Sequence, residues 1–405
     1  MSLALSTAVI CLIACHGGPA DHFATYAELL TQQGYNVQIH ATGPALKKFQ
    51  ERNIEVKFPF SLESLQSEEE DNLADQIAKT CSTASLVLTD VGHAFDIKIQ
   101  KALAIQAKKI SRLAYYDNPE PFVPGGYSHI AAEVMREAEG ILFANETLAN
   151  ATIYSEIGKE VDFGNRKRIG IGYYPVDQAK KIAKRRELEH ESMRSIFLAK
   201  KEIEDKGQKI VVYFGGNNEE YFSKAFPAFL SFLAQASYQV DLRNVVIVIQ
   251  QHPGAKVKNQ DGEQISAWLN EFGKKTEMPK IILSDFSSDN AQVIADAAFY
   301  YQTSMGPQFV LEGIPTVQIG HETYEDILVR NHLAPTVTSA TQFARVVGNL
   351  ESGIKEKIQT DIILSSLGIR EDWSDVLGQA IKDSISSKKS SSLSDRRINK
   401  TAWPQ

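Results

Sequence analysis

The sequence is poor in cysteine. Only Cys11, Cys15 and Cys81 occur in 405 residues, and no two of them are spaced as C-x-x-C. Disulfide-rich scaffolds and zinc ribbons depend on closely spaced cysteine pairs, so this spacing indicates neither a disulfide framework nor a metal site. We therefore expect a protein of the reducing cytoplasm that holds no metal.

Long apolar runs and an excess of positive charge are also missing. The apolar stretch near the start is shorter than the roughly 20 residues that a membrane span takes. The chain has 43 Lys and Arg against 50 Asp and Glu, a net charge of −7. Binding to nucleic acid needs a basic surface, so we expect neither a membrane span nor a general nucleic-acid binder.

Residues 12–15, LIAC, have two interpretations. The pattern is typical of the segment before the acylated cysteine of a bacterial lipoprotein, and equally of a buried strand that leads into a turn. A secretory signal starts with positive charge, but the first Lys or Arg here is Lys47. We favour a strand over 8–14, a glycine-rich turn over 16–22 and a helix over 23–33.

Short β-branched runs alternate with helical patterns along most of the chain. This alternation is typical of parallel sheets that are covered by helices on both faces. Because the rhythm restarts in the second half, we predict an α/β protein with two Rossmann-like parallel-sheet domains facing a cleft. The predicted strands are 8–14, 36–40, 55–58, 85–89, 111–116, 140–144, 168–171, 209–214, 244–251, 280–284, 298–302 and 316–319.

A charged stretch separates the two predicted domains. The expected division is a first domain over 1–175, a linker helix over 176–208, a second domain over 209–385 and a disordered tail over 386–405. Residues 180–186 of the linker are rich in Lys and Arg. They fit a peripheral contact with anionic lipid or a solvated helix that is balanced by neighbouring glutamates, and we favour the solvated helix.

Ligands of open parallel sheets bind beyond the carboxyl ends of the strands, so the loops after the predicted strands carry the candidate site. The strand at 209–214 runs into Gly215-Gly216-Asn217-Asn218. Glycines let the backbone approach an anion, and the first amides of a following helix attract a diphosphate. The same pattern is typical of a plain turn with an asparagine cap, and both interpretations stay open.

Two further loops follow strands of the second half. His252-Pro253 comes directly after the strand at 244–251, where the histidine either donates to a phosphate oxygen or lies in solvent. TSMG at 303–306 precedes a helix that begins near a proline, which is typical of a first helical turn. Its hydroxyls and amides suit a phosphate, and Gln308 suits ribose hydroxyls.

Together the three loops resemble the nucleotide-sugar half of the GT-B superfamily, which includes metal-independent glycosyltransferases and the non-hydrolysing UDP-N-acetylglucosamine 2-epimerases. Segment 303–320, TSMGPQFVLEGIPTVQIG, is similar to the serine-glycine turn, helix and G-x-P strand of that superfamily. Many members place a glutamate on the ribose where this chain has Gln308, and Glu312 is the substitute candidate. The resemblance implies donor-binding roles for Gly215, Gly216, Asn217, His252, Pro253, Thr303, Ser304, Met305, Gly306, Gln308 and Glu312.

The His252-Pro253 pair resembles a motif of bacterial sialyltransferases and CDP-glycerol phosphotransferases of the same superfamily, in which the histidine meets the phosphate of a cytidine nucleotide. Thr303-Ser304 would be the companion pair. The resemblance implies a nucleotide-sugar donor, with a CMP-sugar as one option, and no cofactor beyond this substrate.

The first domain is expected to bind the acceptor and to supply a general base, which must be a histidine or a carboxylate within hydrogen-bond reach. The candidates flank the first turn or follow another buried strand, and they are His16, Asp21, His22 and Asp90. A histidine oriented by an aspartate is an effective base. The loop at 115–129 offers Asp117 and Glu120 as competing carboxylates.

We therefore predict a cytoplasmic, metal-independent glycosyltransferase that acts by direct displacement at the anomeric carbon on an unknown acceptor. A UDP-sugar 2-epimerase is the nearest rival, although no His-Arg-Arg-Glu-Asn-like segment follows the strand at 209–214. A non-catalytic two-lobed binding protein is a third candidate. A nicotinamide dehydrogenase is disfavoured because CHGGPADHF is not G-x-G-x-x-G and the second strand ends in His40.

Overall fold

The computed structural model describes residues 8–120, 128–155, 157–252, 255, 258–273, 278–350 and 360–398. The chain divides into two compact units. The first unit comprises Met1–Pro175 and Gly368–Gln405, and the second comprises Val176–Leu367.

The first unit is built on a parallel sheet of seven strands. These are β1 Val9–Ala14, β2 Asn36–Thr42, β3 Phe58–Phe60, β4 Leu86–Thr89, β5 Ser111–Tyr116, β6 Gly140–Phe143 and β7 Lys167–Gly170. Their order across the sheet is β3-β2-β1-β4-β5-β6-β7. The central strand β1 is apolar throughout because successive side chains enter separate cores on the two faces, Ile10 and Leu12 on one and Cys11 and Ile13 on the other.

Helices cover both faces of this sheet. They are α1 Gly17–Gln32, α2 Gly43–Glu51, α3 Ser67–Thr80, α4 Ala94–Gln106, α5 Ser128–Glu137 and α6 Glu146–Asn150. Helix α1 begins at Gly17, so the predicted turn over 16–22 is wrong. Pro19 is compatible with a first helical turn, where its missing N–H costs nothing, and Gly34 ends the helix with a φ of 89°.

The second unit contains a parallel sheet of six strands. These are β8 Lys209–Phe214, β9 Val245–Gln250, β10 Lys280–Leu283, β11 Ala297–Tyr300, β12 Thr316–Ile319 and β13 Thr336–Val337. Their order is β10-β9-β8-β11-β12-β13. Its helices are α7 Val176–Lys200, α8 Phe226–Ala236, α9 Gln260–Phe272, α10 Ser288–Ile294, α11 Gly306–Leu311, α12 Ile327–Arg330, α13 Ala340–Gly348 and α14 Thr360–Ser366, with a π-helical turn Tyr221–Ala225 before α8.

Helix α7 belongs to the second unit. Arg186 donates to the carbonyls of Gln292 and Ala295 at the end of α10, the latter at 2.8 Å, and Arg185 donates to Asn290 at 3.0 Å. These two arginines of the basic stretch 180–186 therefore satisfy backbone and side-chain acceptors inside the unit.

The last helix, α15 Trp373–Ile398, returns to the first unit. Leu377, Ile381 and Ile385 recur every four residues and are buried in the core beside α1, and the Trp373 ring lies 4.5 Å from that of Tyr173. The sequence predicted that the second domain extends to residue 385 and that a disordered tail begins at 386. The structure differs, because the apolar residues of α15 pack in the core of the first unit. Residues 399–405 lie outside the described residues.

The prediction of two parallel-sheet α/β domains is confirmed. The third strand lies at Phe58–Phe60 rather than at 55–58, and the two-residue strand β13 escaped prediction because it is too short to show a pattern. Among the described residues, no helix combines the length and apolar character needed to cross a membrane.

Gly170 provides a test of the packing at the end of β7. A Cβ there would overlap the backbone of Asn145 and Glu146, and backbone yields less readily than a side chain. We expect Gly170→Ala to lower the free energy of unfolding by about 1–3 kcal/mol, measured by chemical denaturation. Gly348→Ala is the control, since its Cβ would meet Val240 at an ordinary 3.6 Å; an equal loss there would contradict the explanation.

Candidate functional site

Each sheet has a switch point, where neighbouring strands are followed by connections that leave in opposite directions. Strand order places it between β1 and β4 in the first unit and between β8 and β11 in the second. Ligands of such sheets bind at the carboxyl ends of these strands. The residues that follow β1, β4, β8 and β11 therefore define the candidate site in each unit.

A buried carboxylate organises the switch point of the first unit. Asp90, which follows β4, is fully buried. Its Oδ2 accepts the backbone N–H groups of Cys15 at 2.8 Å and His16 at 3.1 Å. The carboxylate thus fixes the turn between β1 and α1.

His16 lies beside this carboxylate and reaches solvent. Its Nδ1 is 3.8 Å from Asp90 Oδ2, and 38% of its side chain is exposed. Burial acts to lower the pKa of His16, but the nearby Asp90 and Asp117 carboxylates outweigh it and raise that pKa. His16 Nδ1 is a buried atom with no hydrogen-bond partner within 3.5 Å among the described residues.

Asp117, which follows β5, adds a second carboxyl group. Burial, aided by the charge of Asp90, raises its pKa to about 7. Its carboxylate lies against the first turn of α1, because a Cβ on Gly18 would be 2.6 Å from Asp117 Oδ2. A carboxyl group that titrates near neutrality can accept or donate a proton under working conditions.

Asp96 is a third acidic residue of this region and lies close to Asp90. It is fully buried, and burial together with the charge of Asp90 raises its pKa. Its Oδ2 accepts the N–H of His93 at 2.9 Å, and His93 Nδ1 in turn accepts the N–H of Phe95 at 3.0 Å. His93 therefore caps α4, while its ring lies 5.7 Å from that of His16.

The other two predicted bases lie elsewhere in the first unit. His22 is buried on α1, its Nδ1 is 2.6 Å from Tyr115 Oη, and burial lowers its pKa to about 3. Asp21 pairs with Lys48 and Arg52 of the α2 region, both at 3.0 Å. The structure thus brings His16 and Asp90 together and separates Asp21 and His22 from them.

The glycine pair after β8 is explained by packing. Cβ atoms on Gly215 and Gly216 would lie 2.7 and 2.9 Å from the side chain of Tyr221. The Gly215 N–H donates to the Gln250 carbonyl at 3.0 Å, so it is engaged in the sheet rather than offered to an anion. Asn218 Oδ1 accepts the Tyr221 N–H at 2.8 Å, which is the asparagine cap of the alternative interpretation.

A cavity opens beside this turn. Its volume is about 560 Å³, and it lies at the carboxyl ends of β8 and β9. Its polar lining combines amides and a hydroxyl with charges of both signs, two carboxylates and one ammonium group, contributed by Asn217, Asn218, Glu219, Ser223, Lys258, Gln260, Glu263 and Gln264. Amides and carboxylates together suit a polar, hydroxyl-bearing ligand, and the two carboxylates disfavour an anion in this cavity.

The remaining predicted donor residues lie at the same edge of the second sheet. His252 is exposed after β9, and Pro253 lies outside the described residues. Thr303 Oγ1 accepts the Met305 N–H at 3.2 Å, its carbonyl accepts from Gly306, and Ser304 is exposed.

Gln308 and Glu312 differ in their surroundings. Gln308 is half-buried on α11, whereas Glu312 is buried and burial raises its pKa to about 9. Neither carboxyl oxygen of Glu312 has a hydrogen-bond partner among the described residues. Burial thus favours the protonated form of Glu312, and its predicted role at the ribose stays a prediction.

Sequence reasoning missed a polar cluster at the switch point of the second unit. Asn218 Nδ2 donates to Gln302 Oε1 at 2.9 Å, and Glu220 accepts from Gln302 and from Tyr301 at 3.4 Å. His321 Nε2 is 3.5 Å from Glu220 Oε1. These acceptors suit hydroxyl groups rather than phosphates. Asn218 and Glu220 follow the predicted strand 209–214, Gln302 ends the strand 298–302 and His321 follows the strand 316–319, so comparing the ends of these three strands would have found the cluster.

Comparisons with known proteins support the fold but not a close relationship. No family model matches the sequence, and no curated protein does. Solved structures match along most of the chain. UDP-GlcNAc 2-epimerase from Methanocaldococcus jannaschii has a TM-score of 0.65 at 11% identity, over 92% of this chain and 99% of that chain.

Two further solved structures are similar in fold to this chain. UDP-GlcNAc 2-epimerase from Neisseria meningitidis bound to UDP-GlcNAc has a TM-score of 0.64 at 9% identity, over 93% of this chain and 100% of that chain. A glycosyltransferase from Rickettsia africae has a TM-score of 0.62 at 11% identity, over 94% and 99%. The chain shares the two-domain GT-B fold of these structures. The predicted GT-B resemblance is thus confirmed as a fold, while the likeness of His252-Pro253 to sialyltransferases stays a prediction.

The raised pKa of Asp117 predicts a pH-dependent stability. An unfolded aspartate titrates near pH 4, so between about pH 4 and the folded pKa of about 7 only the folded state keeps the proton, and stability falls as pH rises. Asp117→Asn lacks this titration. We therefore expect the unfolding temperature of the variant minus that of the parent to increase as the pH rises from about 4 to about 7. Asp205→Asn is the control, because the Arg194 hydrogen bond lowers the pKa of Asp205. Its unfolding temperature should differ from that of the parent by a constant amount over the same pH range. If both variants changed with pH to the same extent relative to the parent, the prediction would be contradicted.

Gly18 tests the position of the Asp117 carboxylate. We expect Gly18→Ala to displace the flexible Asp117 side chain and to remove most of the pH dependence that Asp117→Asn removes, measured by the same thermal denaturation series. Gly17→Ala is the matched control, because its Cβ would meet Pro44 at 3.7 Å. It should retain the pH dependence and gain up to about 1 kcal/mol from helix propensity. Retention of the full pH dependence in Gly18→Ala would place Asp117 elsewhere.

Proposed function

We propose that this protein is a metal-independent glycosyltransferase that moves a sugar from a nucleotide-sugar donor to an acceptor hydroxyl. The fold supports the broader part of this proposal, an enzyme that acts on nucleotide sugars, because its solved counterparts include UDP-GlcNAc 2-epimerases and a glycosyltransferase. The narrower part, sugar transfer, rests on one observation. This is the pairing of the half-exposed His16 with the buried Asp90 at the switch point of the first unit.

The first unit would supply the general base. Asp90 faces Nδ1 of His16, which leaves Nε2 for the acceptor hydroxyl. As the acceptor oxygen bonds to the anomeric carbon, the bond from that carbon to the phosphate oxygen breaks and His16 takes the hydroxyl proton. The nearby carboxylates stabilise the imidazolium that forms. Because they also raise the pKa of His16, kcat/KM should fall as the pH drops through that raised pKa.

The second unit would hold the donor. The carboxylates that line the cavity beside the β8 turn disfavour an anion there. The donor phosphate would therefore bind at His252 and the loop 303–306, which stand at the same sheet edge. The acceptor cluster around Glu220 and Gln302 suits the hydroxyls of a ribose or sugar. Oriented donors at the departing phosphate would stabilise the leaving group.

A 2-epimerase is the second candidate, because several solved counterparts carry that description. The two reactions differ at one bond. Inversion at C2 of the sugar breaks the C2–H bond, so an epimerase working in D2O incorporates deuterium at C2. Transfer from the anomeric carbon leaves the C2–H bond intact.

Nucleotide binding tests the proposal first. We expect isothermal calorimetry with UDP, CDP, CMP, GDP, TDP and NAD to detect one preferred pyrimidine or guanine nucleotide. The double variant Ser304→Ala/His252→Ala should bind that nucleotide about tenfold more weakly or worse, which corresponds to about 1.4 kcal/mol. Its unfolding temperature should be unchanged. The control is Ser195→Ala on α7, whose hydroxyl donates to Glu191. Binding of NAD alone would overturn the proposal.

Turnover then separates the two reactions. The sugar conjugate of the preferred nucleotide, incubated in D2O with water as the acceptor, should release free nucleotide and a sugar that carries no deuterium at C2, as measured by NMR and mass spectrometry. His16→Ala should lower this release by about 10²–10⁴-fold, while nucleotide affinity stays unchanged. Deuterium at C2 would instead assign the epimerase reaction.

A further inference from the structure

Three soft ligand groups meet in the core of the first unit, away from the switch point. Cys11 lies on β1, His40 on the neighbouring strand β2, and Cys81 directly after α3. We call this group the Cys-His-Cys cluster. Strand register places His40 opposite Ile13, so His40 and Cys11 share the sheet face that α3 covers.

The geometry of the cluster fits metal ligation. The sulfur atoms of Cys11 and Cys81 and a ring nitrogen of His40 lie within 4.8 Å of one another, and Cys81 Sγ is 3.8 Å from His40 Nε2. Ligands at zinc–sulfur and zinc–nitrogen distances of about 2.3 and 2.0 Å on a tetrahedron are roughly 3.5 Å apart. Small side-chain adjustments would therefore close the cluster around one ion.

The hydrogen bonding of His40 already leaves a lone pair towards the thiols. Thr80 Oγ1 donates to the Ile77 carbonyl at 2.7 Å, so towards His40 Nδ1, at 3.5 Å, it can only accept. Nδ1 then carries the proton and Nε2 faces Cys81 as a bare nitrogen. An outer hydroxyl that fixes the tautomer of a histidine is a common feature of metal sites.

All three residues of the Cys-His-Cys cluster are buried. Cys11, His40 and Cys81 are all fully buried, and within the described part of the chain the ring nitrogens of His40 have only the long contacts of 3.5 Å to Thr80 and 3.8 Å to Cys81. Buried polar groups normally have close partners, and long contacts recover little of the desolvation cost.

We propose that the Cys-His-Cys cluster binds one thiophilic d10 cation, Zn2+ or Cu+. Thiolate and imidazole ligands select these ions over Mg2+ and Ca2+. Binding of Zn2+ to the two thiols would release two protons and give a neutral site with two thiolates, one imidazole and a water in the fourth position of the tetrahedron. The bound ion would link β1 and β2 to the end of α3. Its ligand Cys11 lies four residues before Cys15, at the turn that carries His16.

Metal titration of the reduced, metal-free full chain under anaerobic conditions tests the proposal. We expect calorimetry to detect one Zn2+ or one Cu+ per chain, no binding of Mg2+, and a rise in unfolding temperature with the bound ion. Co2+ in place of Zn2+ should give a thiolate-to-cobalt charge-transfer band in the unmodified protein. Absence of binding by both Zn2+ and Cu+ would overturn the proposal, as would a cobalt complex without thiolate absorption.

Ligand variants assign the ion to this cluster. Cys81→Ser and His40→Gln should each weaken binding by more than the roughly 10–100-fold that loss of an outer partner costs, with the native far-UV circular dichroism retained. Cys15→Ser is the matched control, because Cys15 lies with Asp90 and Asp96 in a second group of potential ligands. If Cys15→Ser lost metal binding while Cys81→Ser retained it, the ion would lie at Cys15, Asp90 and Asp96, and the proposal would be overturned. If a variant fails to fold, the cobalt spectrum of the unmodified protein decides.

Discussion

The buried Asp90 carboxylate is the constraint on which the candidate site of the first unit depends. A carboxylate without exposure is costly unless hydrogen bonds replace its water shell, and here the amides of Cys15 and His16 do so. The bond fixes the turn after β1 against the end of β4. Its charge adds to the effect of burial in raising the pKa of Asp96 and Asp117, and it raises the pKa of His16 against the effect of burial.

Much of the fold could be predicted from the sequence, because parallel strands buried on both faces are continuous apolar runs. The carboxyl ends of these runs also identified His16 and Asp90. The bases Asp21 and His22 were misplaced for one reason: residues 17–22 were interpreted as a turn. In a helix that starts at Gly17, adjacent residues point about 100° apart, so His22 enters the core and Asp21 faces α2.

Long-range contacts set the limit of prediction. The pair Gly215-Gly216 has the composition of an anion-binding turn, but its glycines are required by the ring of Tyr221. Cysteine spacing along the chain likewise indicated no metal site, whereas the register of β1 and β2 places Cys11 and His40 on one face, near Cys81. In both cases the deciding neighbour is identified only once helices and strands have packed.

The return of α15 to the first unit has a consequence for biosynthesis. Because residues 176–367 are inserted between two parts of the same core, the ribosome completes the whole second unit before it supplies Trp373 and Leu377. Until then the groove beside Tyr26 and Tyr173 has no native cover. The unit whose strands are made first is therefore the last to reach its final form, and nascent chains halted near residue 367 would expose an apolar surface to chaperones and proteases.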